Sequence, residues 1–164
     1  MKTYTMKTSF IAAIVVGGLG LSTVWLTTAK ADDNGSKGLT GSWDAVATFV
    51  SPPPGFPPTA LLTETYFVDG NVLLTPNLPN VTPAQGSYVR VDRNTYAYTA
   101  NFFSVNPAGG LLTKSRIVAT LNLANDGNSY VTDAKLQALD SNNNVLSTLN
   151  AVVRGKRLNI VTTH

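Results

Sequence analysis

The stretch Thr95–Leu123, TYAYTANFFSVNPAGGLLTKSRIVATLNL, decides the fold of this chain of 164 residues. It contains two runs in which apolar and polar side chains alternate, separated by the proline and glycines of Asn106–Gly110. Alternation with a period of two is typical of a strand with one buried face, and a short turn makes two such strands antiparallel. The stretch therefore predicts a long β-hairpin.

Similar alternating runs continue in both directions from this hairpin, joined mostly by short turns rich in Asp, Asn and Gly. No segment has the periodicity of a helix. The predicted strands are Ser42–Val50, Ala60–Val68, Asn71–Leu74, Ser87–Val91, Thr95–Val105, Leu111–Leu123, Ser129–Asp140, Val145–Arg154 and, after a turn at Gly155-Lys156, Arg157–Val161.

Successive long antiparallel strands predict an all-β, up-and-down barrel of eight to nine strands over residues 41–164. A meander of this size hides its two exposed edges by closing on itself. The alternative is a two-sheet sandwich, which needs longer crossover connections. Only the proline-rich segments Ser51–Pro58 and Thr75–Gly86 are long enough to supply them.

The first 31 residues have the pattern of a secretory signal. Lys2 and Lys7 precede an apolar run, Phe10–Leu26, and Ala29-Lys30-Ala31 fits a signal-peptidase site. The alternative is an uncleaved membrane anchor. Cleavage after Ala31 leaves a flexible lead-in, residues 32–40, and predicts a bacterial protein that is periplasmic or extracellular, with no stable membrane anchor.

Composition excludes several classes of function. The chain has 12 basic and 9 acidic residues, and removal of the three lysines in the signal leaves nine of each. A near-neutral mature chain without a basic cluster predicts no nucleic-acid partner. With no cysteine and with His164 as its only histidine, the chain offers no disulfide, no thiolate metal site and no Ser-His triad. We therefore expect no metal and no cofactor.

Alternation also assigns the side chains that point into the barrel. The predicted inward residues are Trp43, Ala45, Ala47, Phe49, Tyr96, Tyr98, Ala100, Phe102, Ile117, Ala119, Leu121, Leu123, Tyr130, Ala134, Leu136, Ala138, Leu149, Ala151 and Val153. Many of them are alanines, which fill little space and favour a cavity for one small ligand. The alternative is a solid core in which the aromatic side chains fill the volume opposite the alanines.

Aromatic residues are the candidate ligand contacts. Buried tyrosine hydroxyls require hydrogen-bond partners, and in a pocket they orient a bound molecule. The proline loop Ser51–Pro58 is interpreted as a lid over the open mouth, with Phe56 at its tip. The predicted ligand-binding residues are Phe49, Phe56, Tyr66, Tyr96, Tyr98, Phe102 and Tyr130.

Glu64 is the only glutamate and the one candidate catalytic residue. A carboxyl group inside an apolar barrel has a raised pKa and can act as an acid or a base. The alternative is a solvated side chain that pairs with a lysine or an arginine. The pattern of the second strand leaves both interpretations open.

Gly41-Ser42-Trp43, at the start of the first strand, resembles the G-x-W motif of the calycins, the lipocalin and avidin type of small barrel. The resemblance implies a lipocalin-like fold in which Trp43 closes one end and a late arginine, Arg157 or Arg154, stacks on it. The disulfide of many lipocalins and their C-terminal helix have no counterpart here. The chain is also similar to small exported bacterial proteins with a G-x-W strand, a proline-rich loop and DGN turns.

These features predict an exported barrel that binds a small hydrophobic or aromatic molecule without catalysis. One alternative is a barrel-type cyclase or isomerase that acts on a hydrophobic substrate. Another is a solid-core structural or interaction domain.

Overall fold

The computed structural model describes residues 38–159, and these fold into strands joined by turns and loops. The predicted signal peptide, most of the lead-in and residues 160–164 lie outside the described residues. The strands are β1 (Gly41–Phe49), β2 (Thr59–Tyr66), β3 (Asn71–Pro76), β4 (Ala84–Arg90), β5 (Thr95–Val105), β6 (Leu111–Leu123), β7 (Ser129–Leu139) and β8 (Val145–Arg157).

Each strand pairs antiparallel with the next, and β8 returns to pair with β1, which closes the barrel. The closing register runs from Trp43 opposite Arg157 to Phe49 opposite Ala151. In a closed barrel every strand has two neighbours, so no edge is left for pairing with another chain. The prediction of an all-β, antiparallel up-and-down barrel is confirmed, with eight strands in the described residues.

The strands alternate between the interior and the solvent as their sequence pattern predicts. On β1, Trp43, Ala45, Ala47 and Phe49 are buried, whereas the residues between them are exposed. The inward residues of the later strands are likewise buried or half-buried. The half-buried ones are Phe102, Ile117, Leu136, Ala138 and Leu149. All five lie toward one end of the barrel, where the interior is less completely filled.

The two ends of the barrel differ. We call the end that carries Trp43 the closed end; the turns at 67–70, 91–94 and 124–128 lie there. We call the opposite end the mouth; the loops at 50–58, 77–83, 106–110 and 140–144 lie there. The proline loop is thus at the mouth, as the lid interpretation requires.

Large side chains fill the closed end. Trp43 and Tyr66 are almost wholly buried, and the Trp43 ring meets the edge of Tyr130 at a centroid distance of 5.0 Å. Tyr66 in turn contacts Tyr130 and Tyr98 at 6.5 and 6.2 Å. These edge-to-face contacts are the preferred geometry of aromatic pairs, and they make this half of the interior solid.

The predicted turn at Gly155-Lys156 is wrong, because β8 continues through both residues to Arg157. Gly155 lies on the inward face opposite Tyr130. A Cβ atom on Gly155 would lie 2.2 Å from the Tyr130 ring. Gly155 is therefore a space-making residue inside a strand, a role that glycine takes where another group approaches closely.

Replacement of Gly155 by alanine is expected to lower the free energy of unfolding by about 2–3 kcal/mol, because an overpacked core must displace a neighbour. The neighbour here is the Tyr130 ring, which Trp43 holds in place. Gly38→Ala is the matched control, since the nearest atom to its added Cβ is 3.8 Å away. Urea unfolding followed by circular dichroism measures both; equal stabilities for the two variants would contradict the assigned packing.

Candidate ligand-binding site

The mouth half of the barrel interior contains a cavity of about 500 Å³. Sites for small molecules typically measure roughly 300–1,000 Å³ and have mainly apolar walls. The space exists because the residues that face it are small: its walls include Ala47, Ala60, Ala84, Ala134, Ala138 and Ala151. Of the two packings that the sequence left open, the structure has a solid closed end and a hollow mouth half.

Among the described residues that line the cavity, Glu64 is the one with a carboxyl group. No lysine, arginine or histidine is among the described residues that line it. The other polar groups are hydroxyls, among them those of Tyr98 and Ser115. A carboxyl group without a cation beside it is the unusual feature of this interior, since buried charges are normally paired.

Glu64 points inward from β2, two residues before the strand ends, with Trp43 opposite it on β1 and Leu74 opposite it on β3. Its side chain is only 1% exposed. The interpretation of Glu64 as a solvated residue paired with a lysine or an arginine is therefore wrong. Its inward neighbours are apolar or aromatic because alternation places it on the same face as Leu62 and Tyr66.

Two tyrosines hold the Glu64 carboxyl group. The Tyr66 hydroxyl donates a hydrogen bond of 2.8 Å to Oε2, and the Tyr130 hydroxyl donates to the same oxygen. Both tyrosines belong to the aromatic cluster at the closed end, which fixes their rings. We call Glu64, Tyr66 and Tyr130 the carboxyl cluster.

The second carboxyl oxygen, Oε1 of Glu64, is buried and has no hydrogen-bond partner in the part of the chain that the structure describes. Within the carboxyl cluster only Glu64 lines the cavity, whereas the two tyrosines lie beneath it in the packed half. The cluster thus forms the floor of the cavity, and its Oε1 atom is left without a hydrogen-bond partner among the described residues. Buried polar atoms are nearly always hydrogen-bonded, so an exception of this kind requires an explanation, and a polar group held in the cavity is one.

Burial raises the pKa of Glu64 above its usual 4.5, although the hydrogen bonds from Tyr130 and Tyr66 act in the opposite direction. Burial likewise raises the pKa values of Tyr66, Tyr98 and Tyr130, and the charge of Glu64 adds to each shift. The three tyrosines therefore remain neutral donors near neutral pH.

Sequence reasoning missed two polar residues of the interior. Thr132 is 1% exposed on β7, and its hydroxyl has no hydrogen-bond partner among the described residues. Ser115 on β6 is buried and lines the cavity. Each occupies an inward position of an alternating strand. Alternation could have identified Thr132, because it lies midway between the inward residues Tyr130 and Ala134. Its polar side chain favoured assignment to the outer face instead.

The proline loop covers part of the mouth. Phe56 packs edge-to-face on Phe49 with ring centroids 4.9 Å apart, and both rings line the cavity. The loop is held at its base by a hydrogen bond from the Phe49 amide to the Pro58 carbonyl. Prolines restrict the backbone of the loop, so Phe56 is presented over the opening at a low entropic cost.

The predicted ligand-binding residues fall into two groups. Phe49, Phe56, Tyr98 and Phe102 line the cavity. Tyr66, Tyr96 and Tyr130 do not; they belong to the closed half, where Tyr96 packs beside Tyr88 at a centroid distance of 6.2 Å. Two of these three act on the cavity indirectly, through Glu64.

The closed end is sealed by Arg157, whose guanidinium carbon lies 4.2 Å from the centroid of the Trp43 ring. The guanidinium also donates to the carbonyls of Gly127 at 2.8 Å and Thr40 at 2.7 Å, and to that of Gly38. Gly41 has a φ of +128°, and a Cβ there would lie 2.8 Å from the Arg157 Nη1 atom. The glycine and tryptophan of the G-x-W tripeptide thus both accommodate Arg157.

Comparison of the chain with protein-family models, curated proteins and solved structures found no match. Across residues 38–159 there is no group of three His, Cys, Asp or Glu side chains able to hold a metal ion. The same residues contain no helix long and apolar enough to cross a membrane. The function is therefore inferred from the barrel and its cavity.

Substitution Glu64→Gln is expected to remove a pH dependence of stability. Above pH 4.5 the unfolded chain loses the Glu64 proton while the folded chain retains it up to its raised pKa. In this window the stability of the wild type falls as pH rises, by up to about 1.4 kcal/mol per pH unit. The stability of the variant stays level, because glutamine does not titrate.

Urea unfolding of both proteins between about pH 5 and pH 9 measures this difference, since aspartates ordinarily titrate below this range and tyrosines above it. Asp69 and Asp140 have lowered pKa values. Their contributions to the pH dependence of the free energy of unfolding have the opposite sign and occur at lower pH. Parallel stability curves for the two proteins would show that Glu64 titrates normally in the folded state.

Proposed function

We propose that this protein is an exported, calycin-type barrel that binds one small, mainly apolar molecule in its interior and performs no covalent chemistry on it. The observation that carries the proposal is the cavity of about 500 Å³ between apolar walls. A cavity of this size costs stability, because its lining loses dispersion contacts. A bound apolar molecule restores those contacts.

The arrangement of the two ends supports a carrier. The closed end is packed with aromatic rings and sealed by Arg157 over Trp43, whereas the mouth is covered only by loops. A ligand therefore enters and leaves on the side of Phe56. The Trp43–Arg157 contact, together with the G-x-W tripeptide, also supports the resemblance to calycins.

A second candidate function is favoured by the carboxyl cluster. A buried acid with a raised pKa, facing an apolar cavity, can protonate a carbonyl or an epoxide and so promote an isomerisation or a cyclisation. In that case Glu64→Gln retains ligand binding and loses turnover. A carrier returns its ligand unchanged, whereas an enzyme converts it. Chromatography of the extracted ligand before and after incubation distinguishes the two.

Binding in the cavity is tested by filling it. Ala138 faces the cavity from β7, so Ala138→Phe is expected to reduce the affinity for the uncharged probe N-phenylnaphthylamine by at least about tenfold. Probe fluorescence measures the affinity, and native mass spectrometry shows whether one molecule is bound per chain. Circular dichroism checks that the variant is folded.

Val131→Phe is the matched control, because Val131 lies on the outer face of the same strand and is 43% exposed. We expect its affinity for the probe to equal that of the wild type. Loss of binding in Val131→Phe alone, or unchanged binding in both variants, would place the probe outside the cavity and contradict the proposal. A wild-type protein that binds no probe would contradict it as well.

Truncation of the lid residue tests the route of entry. Phe56→Ala removes the ring that packs on Phe49 at the mouth, so the probe is expected to dissociate several-fold faster in stopped-flow displacement. Leu146→Ala serves as the control, since Leu146 is 68% exposed and does not line the cavity. Unchanged dissociation in Phe56→Ala would exclude a gating role for the loop.

A further inference from the structure

The carboxyl cluster defines the class of ligand more narrowly, on the basis of the proposed function. We propose that the ligand is an uncharged molecule with an apolar body and one carbonyl-type oxygen at its inner end, and that this oxygen accepts a hydrogen bond from Oε1 of Glu64. The class includes ketones, aldehydes and esters.

The hydrogen bonds of Glu64 determine where its proton lies. Oε2 already accepts two hydrogen bonds, from Tyr66 and Tyr130. In the neutral acid Oε2 is therefore the carbonyl oxygen, and Oε1 carries the proton. Oε1 has no partner among residues 38–159, and Glu64 lines the cavity. The neutral cluster thus has one unused donor, which an acceptor on a ligand satisfies.

The surroundings of Glu64 favour this neutral form. The titratable groups that face it are the tyrosines of β2, β5 and β7, namely Tyr66, Tyr98 and Tyr130. The residues opposite it on β1 and β3 are Trp43 and Leu74, which carry no charge. An isolated buried carboxylate is costly in free energy, so a group in such a place retains its proton.

The lining of the cavity excludes an anionic ligand. A carboxylate or phosphate would be buried without a counter-charge, because no basic side chain among the described residues lines the cavity. Tyr98 lines the same cavity and brings a second hydroxyl to its wall. Tyr98 therefore supplies the lining with a second neutral donor besides the acid.

The rest of the lining determines the orientation of the ligand. Glu64 lies at the floor of the cavity, whereas Phe49 and Phe56 lie at its opening. The walls between them carry the alanines together with Ile117, Leu136 and Leu149. The carbonyl therefore enters first, and the apolar body extends toward the lid.

The experiment compares four probes of similar chain length: methyl octyl ketone, decane, decanoate and decylamine. Each displaces N-phenylnaphthylamine from the full chain at about pH 6. The ketone is expected to displace the probe at about tenfold lower concentration than decane, the size of one buried hydrogen bond, and at lower concentration than both charged compounds. Its advantage over decane shrinks as the pH rises through the titration of Glu64.

Glu64→Gln is the decisive variant, because its amide oxygen accepts from both tyrosines and its amide nitrogen donates into the cavity, as the neutral acid does. We expect the variant to keep its preference for the ketone and to lose the pH dependence of that preference. Circular dichroism confirms that it is folded. Loss of the preference in a folded variant, or a preference of the wild type for decylamine, would overturn the inference and indicate an ionised Glu64.

The outcomes separate the two proposals. Equal displacement by the ketone and by decane overturns the assignment of the carbonyl and leaves the apolar binding function intact. Failure of the wild type to bind N-phenylnaphthylamine, together with the absence of any non-covalent adduct in native mass spectrometry, overturns the binding function and the inference with it.

Discussion

The pairing of β1 with β8 is the interaction on which the rest of the structure depends. It converts a meander with two open edges into a ring, and it brings Trp43 next to Arg157 and Phe49 next to Ala151. Once eight strands are closed, the width of the interior is set by the backbone and cannot adapt to the side chains. The side chains that face inward then decide which part of the interior is solid and which part is hollow.

The distribution of side-chain size along the barrel axis produces this division. Trp43, Tyr66, Tyr96 and Tyr130 face inward toward the closed end and fill it, whereas alanines face inward nearer the mouth. The carboxyl cluster lies at the boundary between the two halves. Its tyrosines belong to the packed half and its glutamate to the cavity, so a rigid aromatic core positions the one carboxyl group among the described residues that line the cavity.

The fold followed from the sequence because long alternating strands joined by short turns admit few arrangements. The inward face of most strands followed for the same reason, as the burial of Trp43, Tyr98 and Val153 shows. Gly155 was misassigned as a turn residue. In the sequence alone, a glycine that makes room for a ring on a neighbouring strand cannot be told apart from a glycine in a turn. Only the register of β7 with β8 reveals its role. The candidate site was harder to predict from the sequence than the fold.

Alternation on β2 was compatible with Glu64 on either face, and the decisive fact is that two tyrosine hydroxyls donate to one carboxyl oxygen. Those tyrosines lie 2 and 66 positions away in the chain. Such contacts depend on the stagger of the closed barrel. The aromatic residues Phe49 and Phe102 were easier to place, since they extend strands whose inward pattern was already clear.

The alanine lining has a consequence for how such a protein changes over evolutionary time. Side chains determine the size and shape of the cavity, and the closed barrel holds their backbone in place. One substitution at Ala47 or Ala151 therefore changes the shape of the cavity wall without moving a strand. Glu64 sits on a separate layer and is untouched by such changes. Selection can therefore change the shape of the cavity while the strands and the carboxyl group at its floor are inherited.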